Sequence, residues 1–192
     1  TSAPAISEIT EITLPDETLS MSGEGLNGAK LRIWAGGEVL SVEPLRSDAQ
    51  RLQAVVPKDV NGTPVRPGLL LVWPEKDGVV GEPIRVNAPT VWWNYPTRPN
   101  PGEEIRIMGK NLAMEGSKPV IVLADAAGSH SVSLGITHAS PYELRASLPD
   151  DLPPGDYFLQ AHNGTGGSVG WSDKFPLGAV AAIPEPELVI AI

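Results

Sequence analysis

The sequence contains no cysteine. Disulfides, thiolate metal sites and cysteine nucleophiles are therefore excluded, although the compartment is left open. Basic residues are scarce: 14 Lys and Arg stand against 23 Asp and Glu, a formal charge of −9 and a pI near 4.8. A nucleic-acid binder needs a basic face to neutralise phosphates, so that class is set aside. An anionic membrane surface suits the chain no better. Long apolar runs are missing too. The most apolar stretch, near Leu177 to Ile183, is far short of the ~20 residues that span a bilayer, and Pro184 and Glu185 interrupt it. No membrane insertion is expected. The chain begins at Thr1 without Met or a basic-then-apolar leader, which reads as a processed or excised segment. Nor does any stretch sustain a 3.6-residue apolar period, so little helix is expected.

What the sequence has in quantity is Gly and Pro, 20 of each, beside a hydrophobic fraction of 41%. That fraction is enough for a core. Gly and Pro at this density forbid long helices and suit short strands joined by turns. The length leaves room for two domains of about 90–100 residues, and an internal repeat points to two. Pro4 and Ile6 match Pro89 and Val91. Leu19, Met21, Gly23 and Leu26 match Ile105, Ile107, Gly109 and Leu112. Leu31 and Ile33 match Val120 and Val122; Leu52, Ala54 and Pro57 match Leu144, Ala146 and Pro149. Gly68, Leu70 and Val72 match Gly155, Tyr157 and Leu159. The order never breaks, and the offset drifts only where turns can gain or lose residues. The expected division is 1–87 for module one, 88–179 for module two, and 180–192 for a linker with the start of a further strand, Leu188 to Ile192.

Within each module apolar residues alternate with the strand period of two. Leu19 and Met21, Leu31 and Ile33, Leu52 and Ala54 share one inward phase in module one. Ile105 and Ile107, Val120 and Val122, Leu144 and Ala146 do so in module two. Pro57 and Pro149 stop strands for want of an N–H. Arg66-Pro67-Gly68 and Pro153-Pro154-Gly155 read as turns. Asp77-Gly78 and Asn163-Gly164 read as two-residue hairpin signals. About seven short strands in ~90 residues is the pattern of an immunoglobulin-like sandwich, so the fold expected is all-β, with two tandem immunoglobulin-like β-sandwiches.

The stretch Asn100-Pro101-Gly102-Glu103-Glu104-Ile105-Arg106-Ile107-Met108-Gly109-Lys110-Asn111-Leu112 resembles the P-G-x-x-h-x-h-x-G-x-N-h signature of IPT/TIG domains. These are immunoglobulin-like folds shared by plexins, some transcription factors and many bacterial surface or secreted proteins. Module one has a worn version, Pro15 to Leu26, without the turn Gly and the Asn. Leu152-Pro153-Pro154-Gly155-Asp156-Tyr157-Phe158-Leu159 resembles the family's late strand. The run Thr90-Val91-Trp92-Trp93 and the stretch Ala161 to Ser172 add a narrower likeness. Together they are similar to the IPT-like modules placed ahead of β-helix catalytic domains in secreted polysaccharide lyases and glycosidases. The resemblance implies a secreted bacterial protein and a neighbouring domain of the same polypeptide as partner.

Chemistry is harder to find. His130, His138 and His162 form no H-x-x-x-H or H-x-H pair, and Gly128-Ser129-His130 lacks the strand-to-helix context of a nucleophile elbow. Asp16-Glu17, Glu103-Glu104 and Asp150-Asp151 sit at turns, where carboxylates stay solvated. Asp150, Asp151 and Asp156 lack a calcium-loop spacing. Gly164, Gly166, Gly167 and Gly170 lack the Lys-Ser/Thr and the helix of a phosphate loop. No catalytic residue, metal or cofactor is expected, and the chain is read as no enzyme.

Tryptophan is the remaining signal. Leu31 and Ile33 send Trp34 outward; Leu70 and Val72 send Trp73 outward with Leu71 beside it, on strands that neighbour one another in such a sheet. Sugar C–H faces stack on such rings, so Trp34, Trp73 and Leu71 are the expected carbohydrate-binding residues. The alternative is that another domain or protomer covers them. Trp92, Trp93 and Tyr95 lie where the modules join. Adjacent strand residues face opposite ways, so one Trp is expected in module two's core and the other at the inter-module contact or a site; Trp92, Trp93 and Tyr95 are the expected inter-module residues. With only Val86 to Pro89 between them, the modules are expected to pack together. The function expected is a non-catalytic accessory region of a secreted carbohydrate-active protein, binding polysaccharide or positioning a neighbouring catalytic domain. The alternatives are a structural or adhesive module pair and a small polysaccharide hydrolase or lyase.

Overall fold

The computed structural model describes residues 2–180, and the expected linker and strand at 181–192 lie outside them. The described residues are all-β apart from one short 3₁₀ turn, Gly167–Val169. It forms two compact units. The first holds the chain up to Pro89 together with Met114–Ser117 and Asn163–Trp171; the second holds Thr90–Ala113, Lys118–His162 and the chain from Ser172.

The first unit contains β1 (Ala5–Ile9), β2 (Thr18–Glu24), β3 (Lys30–Ala35), β4 (Glu38–Val42), β5 (Arg46–Ser47), β6 (Arg51–Val55), β7 (Asp59–Val60), β8 (Thr63–Pro64), β9 (Leu70–Lys76), β10 (Val79–Val80) and β11 (Ile84–Val86). One antiparallel sheet runs β1-β2-β6-β5 and a second runs β10-β9-β3-β4, with β11 also on β9. Leu19 and Met21 from the first sheet meet Leu31, Ile33, Leu70 and Val72 from the second in one buried cluster, with Leu52 and Ala54. Burying each of the large side chains contributes about 2 kcal/mol, which is what a period-two pattern of apolar residues secures. The β9–β10 hairpin turns at Asp77 and Gly78, both at positive φ, as a two-residue turn requires.

The second unit contains β12 (Thr90–Tyr95), β13 (Glu104–Lys110), β14 (Val120–Asp125), β15 (Ser131–Ala139), β16 (Glu143–Ser147), β17 (Gly155–His162) and β18 (Phe175–Val180). The hydrogen-bonded order is β12-β13-β16-β15-β14-β17-β18. The first half of β15 pairs with β14 and its second half with β16, so this one strand serves both layers of a sandwich. Ile105, Ile107, Leu144 and Ala146 close the core on one side; Ile121, Leu123, Tyr157 and Leu159 close it on the other.

Three expectations are corrected. Val120 is 38% exposed, whereas Ile121 and Leu123 are fully buried. Residues 120–123 are all apolar, so their own pattern has no phase, and pairing with β15 and β17 chooses it. Asn163-Gly164 is no hairpin: β17 ends at His162 and β18 starts at Phe175. Asn163 is instead buried, its Oδ1 accepting from the Thr165 backbone N–H (3.1 Å) and hydroxyl (2.7 Å). Finally, Val180 is the buried last residue of β18 rather than the first of a linker.

The two stretches matched in the sequence share backbone geometry at two turn positions. Gly102 and Asn111 both have positive φ, at 76° and 53°. At the matching places stand Asp16 at 71° and Gly25 at 67°. Gly, Asn and Asp are the residues that tolerate this region, so each stands in for another. The acidic residues that follow close the same turns. Glu17 Oε2 accepts from the Leu14 N–H at 2.7 Å, and Glu103 Oε2 accepts from the Asn100 N–H at 2.8 Å.

Candidate functional site

In the first unit β3 and β9 are adjacent and antiparallel, with Trp34 opposite Leu71 and Arg32 opposite Trp73. Ile33 and Val72 between them are fully buried, so Trp34, Leu71, Trp73 and Arg32 share the outer face. The two tryptophans are diagonal neighbours, close enough to form one surface. Both rings and Leu71 are half-buried rather than fully open. At one end Arg32 Nε donates to Glu75 Oε2 at 2.6 Å. That hydrogen bond holds the Glu75 carboxyl below its ordinary range and raises the guanidinium. On β4, Val39 stands opposite Trp34 and is exposed. Arg85 stands opposite Leu71, and its Nη1 donates to the Val169 and Trp171 carbonyls at 3.2 and 2.7 Å within this unit.

The second unit places its aromatic residues differently from expectation. Trp92 is 54% exposed, Trp93 50% and Tyr95 61%. Neither tryptophan enters the core. Val91 pairs with Gly109 and Trp93 with Met108, so the register slips at Trp92. Two residues of β12 then oppose one of β13, and this bulge lets two consecutive side chains stay outside. Asn94, back on the inward phase, is buried and donates from Nδ2 to the Pro96 carbonyl at 2.7 Å.

Across the same face, Tyr95 is opposite Arg106, Met108 is opposite Glu143, and Arg106 is opposite Arg145. Arg106 Nε and Arg145 Nε both donate to Glu143 Oε1, at 2.8 and 2.7 Å. The hydrogen bond from Arg106, followed by that from Arg145, brings Glu143 down to about 2. Sequence reasoning missed these four residues. Their outward phase was legible, since each alternates with a buried neighbour, but the adjacency of β13 and β16 was not.

The remaining candidates stay apart. His130 and His138 are exposed and His162 is half-buried. His130 meets the Tyr157 ring edge-on at 6.5 Å. Ser129 donates its hydroxyl to Asp125, which lowers that carboxyl and closes the β14–β15 turn. Asp150, Asp151 and Asp156 are exposed, and among the described residues no three His, Asp or Glu side chains gather as a metal would require. No described helix is long and apolar enough to cross a membrane.

No protein-family model matches the chain, and no curated protein matches it. Solved structures do. The surface glycan-binding protein PbSGBP-B of Prevotella bryantii is 14% identical, over 92% of this chain and 42% of its own, with a TM-score of 0.38. The Bacteroides ovatus mixed-linkage glucan utilization locus SGBP-B, in complex with a mixed-linkage heptasaccharide, is 19% identical over 94% and 46%, with a TM-score of 0.36. A pullulanase of Anoxybacillus sp., complexed with maltotriose, is 10% identical over 97% and 30%, with a TM-score of 0.39. The chain spans between 42% and half of the length of the glycan-binding structures it resembles.

Proposed function

We propose that this chain is a non-catalytic polysaccharide-binding region of a secreted bacterial protein, built of IPT/TIG-like sandwiches that hold a neighbouring catalytic domain near its substrate. The observation that supports this reading is the Trp34–Leu71–Trp73 face. Two indoles and an apolar residue lie on paired strands, beside a guanidinium fixed by Glu75. Indole faces take up sugar C–H surfaces, and a fixed guanidinium supplies hydrogen-bond donors for hydroxyls. A sheet holds such groups rigidly, so little entropy is lost on binding.

The half-burial of both indoles favours a second reading, in which a protein domain covers this face and the module pair is structural or adhesive. Affinity electrophoresis against a glycan panel separates the two. The wild type should be retarded by at least one glycan, and Trp34→Ala with Trp73→Ala should weaken that affinity about tenfold or more, a loss of roughly 1.4 kcal/mol. Equal retardation of the folded double variant would place binding elsewhere. Product released from the same glycans by purified 1–192 would overturn the non-catalytic reading.

A further inference from the structure

The most open aromatic surface among the described residues lies on the second unit. Trp92, Trp93 and Tyr95 project from β12, which pairs with β13 alone and so forms the edge of the sheet order. Exposed aromatic residues on an edge strand invite unwanted pairing, and the bulge at Trp92 limits that by twisting the edge. A monomer seldom leaves so much aromatic surface without a use.

What distinguishes this surface is its second row. Next to the rings come Met108 and Arg106, and beyond them Glu143 and Arg145. Both guanidiniums use Nε to reach the same oxygen of Glu143, and Arg106 is also drawn by the Glu104 carboxylate two residues along β13. The two arginine side chains remain 47% and 39% exposed. The three groups together carry one net positive charge, in a chain of −9. Glu143 thus acts as a tether: it fixes two guanidinium forks beside an aromatic platform without cancelling them. A guanidinium fork matches the geometry of a carboxylate.

Other surfaces fall short of this. The cleft of about 420 Å³ between Glu8, Ser20, Arg46, Arg51 and Gln53 has charge but no aromatic residue. The hollow of about 270 Å³ beside Phe158 has one aromatic residue and one cation, Lys174.

We propose that the β12–β13–β16 face is a binding surface for polysaccharide that carries carboxylates, that is, for uronate-containing chains. The inference rests on the polysaccharide-binding reading above and adds to it a ligand class and a second location. Trp93 and Tyr95, two residues apart on one face, stack on sugar rings. Arg106 and Arg145 take the carboxylate of a ring lying across β13. Trp92 extends the apolar platform toward Thr90.

The test uses the 1–192 chain with polygalacturonate and with its fully methyl-esterified form, which keeps the sugar backbone and loses the charge. Calorimetry should show the acid form bound at least about tenfold more tightly than the ester. Trp93→Ala with Tyr95→Ala, both exposed positions, should weaken binding of both forms about tenfold or more. Arg145→Gln with Arg106→Gln should abolish the preference for the acid over the ester. The inference is overturned by equal affinity for acid and ester, by a folded aromatic variant that binds like wild type, or by no binding of polygalacturonate. If the chain binds a neutral glucan through Trp34 and Trp73 but no polygalacturonate, this inference falls and the broader reading stands. If it binds no glycan at all, both fall.

Discussion

The backbone carbonyl oxygen of Thr90 lies 1.9 Å from where a Cβ on Gly109 would sit. The same relation holds in the first unit, where the Ala5 oxygen is 1.9 Å from a Cβ built on Gly23. In both places the first strand of the unit shifts register against its partner, between Ile6 and Glu8 and between Val91 and Trp93. The glycine is thus a backbone requirement in both units: the bulged strand presses its carbonyl onto a bare Cα.

Gly109→Ala should therefore force β12 away from β13 and cost about 1–3 kcal/mol, the range of overpacking in a close-packed interior. Gly135→Ala is the control. It lies on β15 at ordinary φ with open space around it, and should shift stability by no more than about 0.5 kcal/mol. Chemical denaturation of both variants measures the difference, and equal midpoints would show that the close approach relaxes freely.

Asn87 should be the most sensitive polar residue of the first unit. It is buried and at positive φ. Its Oδ1 accepts from the Thr13 N–H at 2.9 Å, and its Nδ2 donates to the carbonyls of Thr13 and Gly68 at 2.8 and 2.7 Å. Asn87→Ala strands those groups without partners and should cost about 3 kcal/mol. Asn87→Gly keeps the backbone freedom and loses only the hydrogen bonds, so the gap between the two variants reads the φ contribution. A loss below about 1 kcal/mol for both would mean that water replaces the amide.

Acid should weaken the second unit through Glu143. Its folded value is about 2, below the ordinary 4.5, because Arg106 and Arg145 stabilise the charged form. A carboxyl with a lowered folded value adds stability that is complete above about pH 4.5 and is lost as pH falls toward 2. Glu143→Gln cannot titrate, so its melting temperature should fall less steeply than that of the wild type across that window. Parallel slopes would show that the ion pairs add nothing in solution.

The chain should not be retained on DNA at physiological salt, because its charge of −9 opposes phosphate. A DNA column measures this. Retention that weakens steeply with added salt would contradict it.

Much of the fold was legible in the chain itself. Leu19 and Met21, Ile105 and Ile107, Leu144 and Ala146 all lie buried where alternation placed them, because a strand with one polar neighbour on each side has a single choice of face. The turn chemistry was legible for the same local reason, Asp77-Gly78 being the clear case. The adjacency of Trp34 and Trp73 followed from strand order and outward phase. Tertiary structure decided the rest. Residues 120–123 carry no alternation of their own, so only pairing with β14's neighbours could turn Ile121 and Leu123 inward. Trp92 and Trp93 break alternation through a bulge, and a bulge is a property of two strands in register rather than of either sequence. Glu143 meets Arg106 across 37 residues, a pairing set by which strands lie side by side. Sequence determined the local choices of face and turn; contact between distant strands determined which side chains would share a surface.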